Sequence, residues 1–175
     1  MKVYIGPYRK NRKIDIRIDE YDTYSMDTTL AMIILPMLKQ LKDTKHGSAL
    51  VEQEDVPYEM RTTNHSDYDW QMCFDFYHES ITARYKNDVH DLWDWVLDEM
   101  IWAFEQIQPD CEGESQFYSG ESDFKFQPIP KTQLLEMVKG PNHTLKVDRE
   151  GLDKYNKRIK NGLRLFGKYY MGLWD

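Results

Sequence analysis

Asp91, Asp94 and Asp98 recur at three- and four-residue steps, with Glu105 two turns further along the same row. On a helix this spacing stacks carboxylates on successive turns, close enough to share a divalent cation. Carboxylates that converge on Mg²⁺ or Mn²⁺ are the equipment of nucleotide and phosphoester hydrolysis. The same row is equally what a solvated helix face looks like. A second acidic face to complete a metal site is missing: the first helix offers only Asp27 near its start, and the last helix is basic. The metal site at Asp91, Asp94 and Asp98 therefore stands as an alternative, and the basic last helix is the simplest expected partner for the row.

A second constellation lies near the end of the chain, where Lys154, Lys157, Arg158, Lys160, Arg164 and Lys168 precede Tyr169, Tyr170 and Trp174. Cations beside aromatic rings are what a phosphate-and-base ligand requires, the charges for phosphate and the rings for stacking. Arg158, Arg164, Lys168, Tyr169, Tyr170 and Trp174 are thus candidate ligand-binding residues. Arg12 and Arg17, with Arg9 and Lys13, could extend the pocket from the N-terminal region. The competing reading makes the rings core and pairs the cations with the acidic middle of the chain. Nothing supports nucleophilic catalysis: the five histidines form no HExxH or triad order, and neither Gly-rich phosphate fingerprint occurs. Cys73 and Cys111 belong to no CxxC or Cys/His cluster, and read as reduced and structural.

These residues need elements to hold them. Over 90–107, Trp93, Val96, Leu97, Met100, Ile101, Phe104 and Ile107 form the apolar stripe of an amphipathic helix opposite the acidic row. An earlier helix, capped by Ser25 or Asp27, covers 25–47 with Leu30, Ile33, Ile34, Met37, Leu38 and Leu41 on one face; Pro36 should kink or break it. Lys39, Lys42 and Lys45 suit its C-terminal dipole and Gly47 its stop. Asp148 caps a last helix over 148–174, with Leu152, Tyr155, Ile159, Leu163, Phe166, Tyr170 and Leu173 at three-four spacing. Gly162 and Gly167 weaken that helix, which implies close packing. Strict alternation from Lys13 to Ile18 predicts a half-buried strand with Ile14, Ile16 and Ile18 inward, and Val3, Tyr4 and Ile5 as its partner across a Gly6-Pro7 loop. Residues 1–24 are expected to form an N-terminal hairpin, and 109–147 loops with short strands at 124–129 and 145–147. The acidic stretch 48–89 is poorly periodic, with Trp70, Phe74, Phe76 and Tyr77 as its expected anchors.

The chain of 175 residues carries 41% hydrophobic, 14% aromatic and 30% charged residues, enough for one domain with a real core and a well-hydrated surface. Its net charge of −7 divides into +3 over 1–47, −16 over 48–123 and +6 over 124–175. An acidic middle between basic ends disfavours global binding to nucleic acid. No apolar run reaches a membrane span, and MKVYIGPYRK is not a signal peptide, so the expectation is a cytoplasmic protein. The expected fold class is α+β, a single domain over 1–175 with a small antiparallel sheet packed by three main helices, the last docked centrally.

Three blocks, YDTYSMDTTLAMIILPMLKQLKDTKHG, DLWDWVLDEMIWAFEQ and RIKNGLRLFGKYYMGLWD, give the chain a resemblance to a family of small, mostly uncharacterised proteins encoded by tailed bacteriophages. Family members often carry a longer, Trp-rich insertion after the opening MKVYIGPY, which this chain lacks. The resemblance implies a phage product acting in the host bacterial cytoplasm, and it brings no activity for particular residues. The functional expectation is a non-enzymatic accessory protein, with counter-defence among its roles. It would bind or sequester a host-side factor, either a small nucleotide ligand or a host protein, and it needs no cofactor. The three-four spacing of the last helix and the excess of Trp and Tyr are compatible with a homo-oligomer. The alternatives are a metal-dependent nucleotide hydrolase, with Mg²⁺ or Mn²⁺ at the aspartates, and a virion or assembly component.

Overall fold

The computed structural model describes residues 1–8, 10–61 and 79–174, with the backbone alone over 79–88. Arg9, Trp70, Phe74, Phe76 and Tyr77, named above, lie outside the described residues. Three helices dominate: α1 (Met26–Thr44), α2 (Glu79–Gln106) and α3 (Arg149–Lys168). Among the described residues six short strands accompany them: β1 (Lys2–Ile5), β2 (Ile14–Arg17), β3 (Tyr118–Ser119), β4 (Phe124–Pro128), β5 (Leu135–Lys139) and β6 (Lys146–Val147). The fold is α+β, as its sequence pattern predicts.

α2 is the central helix, because α1 and α3 both pack against it. Its apolar stripe supplies most of the core: Leu92, Trp93, Val96, Leu97, Met100, Ala103 and Phe104 are buried. Each of the larger aliphatic side chains contributes about 1.5–3 kcal/mol on burial, so Leu97→Ala would cost about 2–5 kcal/mol once the cavity is included. The expectation that the last helix is central is thereby corrected. α3 offers a narrower buried line, Tyr155, Gly162 and Leu165, and α2 has apolar residues enough to serve two neighbours. α2 also begins eleven residues before His90, at Glu79.

Gly162 marks the closest approach of α3 to α2, since a Cβ there would lie 2.4 Å from the Ala103 Cβ and 2.5 Å from the Glu99 carbonyl oxygen. Gly167, by contrast, faces open space. Asp148 caps α3 by accepting from the Gly151 amide at 3.0 Å. The helix ends at Lys168, and a 3-10 turn (Tyr170–Gly172) folds the chain back. α1 runs unbroken through Pro36, which corrects the expected break: one helix leads from Met26 to the C-cap at Lys45.

The strands do not form one sheet packed by the helices. They make three separate antiparallel ladders, β1–β2, β3–β6 and β4–β5. In the N-terminal hairpin Val3 pairs with Ile16 and Ile5 with Ile14. Ile14, Ile16 and Ile18 are exposed, although alternation predicts them to point inward. Alternation fixes which residues share a face, while burial needs an element lying across that face, and the main contacts of β1 and β2 are with one another. The strand predicted at 124–129 is β4, and its partner β5 is a feature the sequence reading passed over.

Candidate functional site

The acidic row on α2 meets α1, not α3. Lys39 Nζ lies 2.6 Å from Glu105, Lys42 Nζ 2.5 Å from Asp98 and Lys45 Nζ 2.8 Å from Asp94. The numbers rise on one helix as they fall on the other, so antiparallel packing alone brings the two rows into register. The Asp94 Oδ1 contact has ion-pair distance without hydrogen-bond alignment. Asp91 is exposed beyond the end of this ladder. Asp94 and Asp98 are thus engaged by ammonium groups, and among the described residues no three His, Cys, Asp or Glu side chains are grouped to hold a metal ion. Lysines at three-residue spacing facing acids at four and seven are a signal that the sequence does contain.

α3 finds its carboxylates elsewhere. Arg158 clasps buried Glu99 with Nη2 at 2.7 Å and Nε at 3.0 Å, and its guanidinium lies 3.9 Å from the centroid of the Trp102 ring. The Glu99 hydrogen bonds raise the affinity of Arg158 for its proton, against the opposing effect of burial. A planar fork that is both bidentate and stacked is a site at which Lys could not replace Arg.

One turn and more beyond, Arg164 Nη1 reaches Asp55 at 2.7 Å, Lys168 Nζ reaches the same carboxylate at 2.6 Å, and the Tyr169 hydroxyl donates to it at 2.6 Å. Lys168 also pairs with Glu52, and the Tyr169 hydroxyl accepts from the Glu52 amide at 2.9 Å. Burial disfavours ionisation of Asp55, yet the bonds from Lys168, Tyr169 and Arg164 outweigh it and hold the carboxyl below its ordinary value. Burial pushes the Tyr169 hydroxyl up to about 12, and the Asp55 bond adds to the shift. Tyr169 is buried edge-on against Trp93, with ring centroids 5.8 Å apart. Arg164, Lys168 and Tyr169, candidates for a nucleotide, therefore clamp the segment after α1 onto α2 and α3. Asp55, their common partner, sits in a stretch with no readable period.

Arg12 and Arg17 do not approach this group: Arg12 Nε donates to the Gly6 carbonyl at 2.8 Å, and Arg17 pairs with Asp15 within the hairpin. Ser48 Oγ and His90 Nδ1 stand 2.6 Å apart, and no third group orients the ring among the described residues. That pair ties the start of the 48–61 segment to α2.

Tyr170 and Trp174 remain, and they are 61% and 74% exposed. They line an open groove of about 880 Å³ between α1 and the end of α3. Leu30, Ile34, Met37 and Leu41 form one wall; Phe166, Tyr170, Leu173 and Trp174 form the other. The groove exists because α3 stops at Lys168 and the Tyr170–Gly172 turn swings Leu173 and Trp174 toward α1, where the Gly172 amide donates to the Tyr169 carbonyl at 2.8 Å. Met37, the residue after Pro36, is 65% exposed. Large apolar side chains clustered in the open at a concave surface are a common feature of interaction sites.

No family model, curated protein or solved structure matches the chain. Among the described residues no helix is long and apolar enough to cross a membrane.

Proposed function

We propose that this chain is a non-enzymatic binding protein that engages another protein through the groove between α1 and the end of α3. The observation that carries this reading is the division of labour among its side chains. Asp94, Asp98 and Glu105 are paired with lysines of α1, and Arg158, Arg164 and Lys168 of α3 with Glu99 and Asp55, whereas Met37, Tyr170 and Trp174 are exposed around one concavity. Binding energy at protein interfaces concentrates in such aromatic anchors seated beside apolar walls. A nucleotide would have to compete with Asp55 for Arg164 and Lys168, which favours a protein partner over a small nucleotide signal. The resemblance to tailed-phage proteins supports the setting, an accessory role toward a host protein in the bacterial cytoplasm, counter-defence included.

Photo-crosslinking in living bacteria tests the proposal. A photoreactive residue at Met37 or Trp174 should give covalent adducts to a discrete partner, and Leu30→Glu should abolish them. The same probe at exposed Tyr21, which does not line the groove, should give none. Equal labelling at Tyr21 and Trp174, or labelling indifferent to Leu30→Glu, would sink the reading.

A further inference from the structure

α3 contains three glycines, and only Gly167 lacks a reason within the monomer: a Cβ at Gly151 would strike the capping Asp148 carboxylate and the Phe117 ring. Gly162 lets the backbone of α2 approach, as a Cβ there would strike Ala103 and the Glu99 carbonyl. Gly167 is exposed, and a Cβ there would touch nothing within 4 Å. Glycine is a poorer helix former than alanine, and at Gly167, in the last turn of α3, no internal packing explains its presence. Helical geometry places Gly167 next to Leu163 and Tyr170, on the outer lip of the apolar groove. A missing side chain on a helix lip is what allows a second helix to bring its backbone close.

Charge gives the occupant its character. The α1 wall from Leu30 to Thr44 carries Lys39, Lys42 and Asp43, and both lysines are paired with acids of α2. On the α3 side the row outward from Leu163 and Gly167 holds Lys160 and Arg164, with Lys157 beside them. Lys157 and Lys160 are exposed and make no ion pair among the described residues. The groove is thus apolar along its floor, and the exposed lysines that make no ion pair lie on its α3 side. From Leu30 to Thr44 its α1 wall is about 20 Å long at 1.5 Å per residue, which accommodates a helix of about four turns. We infer that the groove receives an amphipathic helix of a partner protein, its apolar stripe between α1 and α3, its acidic flank toward Lys160, and its backbone over Gly167. The inference rests on the groove being the binding surface and adds the chemical class of the partner.

The test uses a fluorescein-labelled helical peptide of about four turns, leucines at i, i+3, i+4 and i+7 with glutamates on the flank, and a twin carrying lysines instead. Fluorescence anisotropy with the full chain at low salt should favour the glutamate peptide by about tenfold, and raised ionic strength should narrow the gap. Gly167→Leu should raise the Tm, since it places a better helix former in open space, and yet weaken peptide binding by about tenfold. Trp174→Ala should weaken it as well. Equal binding of the twins, or unchanged binding by Gly167→Leu, overturns the inference. So does sedimentation equilibrium showing a dimer that Gly167→Leu dissolves, because the occupant would then be a second copy. Groove-dependent crosslinks together with indifferent peptides would refute the acidic helix alone and leave the protein-binding reading standing.

Discussion

Asp55→Asn tests the clamp between the segment after α1 and the end of α3. The carboxylate is buried and faces Arg164, Lys168 and the Tyr169 hydroxyl within 2.6–2.7 Å. Breaking a fully buried ion pair by removing one partner costs about 3–5 kcal/mol, since a charge is left without compensation. Here the cations are only partly enclosed, at 48% exposure for Arg164 and 30% for Lys168, so water takes over some of their solvation. Asparagine also keeps an oxygen to accept from Tyr169. The expected loss is therefore about 2–3 kcal/mol at neutral pH, or about 5–10 °C in Tm for a chain of this size. Urea unfolding followed by tryptophan fluorescence reports it directly, because Trp93 packs against Tyr169. The pH dependence has a fixed sign. Asp55 has its folded pKa depressed below 3.8, so its contribution is present above the unfolded pKa and disappears as pH falls through the folded one. The gap between wild type and Asp55→Asn should be full at neutral pH and close below about pH 4. A loss under about 1 kcal/mol, or a gap that persists unchanged in acid, would refute the clamp.

Two further outcomes follow from the same packing. Gly162→Ala should destabilise by about 1–2 kcal/mol, overpacking against the Glu99 carbonyl exceeding the gain in helix propensity. Gly167→Ala should stabilise by about 0.5–1 kcal/mol, and thermal melts showing the same sign for both would contradict the helix spacing. At the alkaline end, the Tyr169 hydroxyl is pushed up to about 12, so its contribution is complete below the ordinary value of 10.0 and lost as pH rises toward 12. Tyr169→Phe should remove that alkaline fall, which a urea series at rising pH would detect.

The α+β class, the apolar stripe of α2, the Asp148 cap and the close packing at Gly162 were all legible, because each depends on residues within a few positions of one another. Periodicity records which side chains share a face. It does not record what lies opposite, and there the reading of the sites diverges from the structure. The acidic row looked toward α3 in sequence terms because α3 carries the most cations, and antiparallel packing gave it the lysines of α1. Arg164 and Lys168 read as ligand groups because their partner Asp55 lies over a hundred residues away in an aperiodic stretch. Tyr169 and Tyr170 are neighbours of identical chemistry, yet one is buried against Trp93 and the other lines the groove, a difference set by which side of the α3 end faces α2. By itself the sequence determined the helices, their apolar faces and the supply of charges, since those follow from short-range geometry. Only the tertiary structure decided which charges neutralise one another and which apolar residues remain open at the groove, because pairing and burial depend on how helices cross.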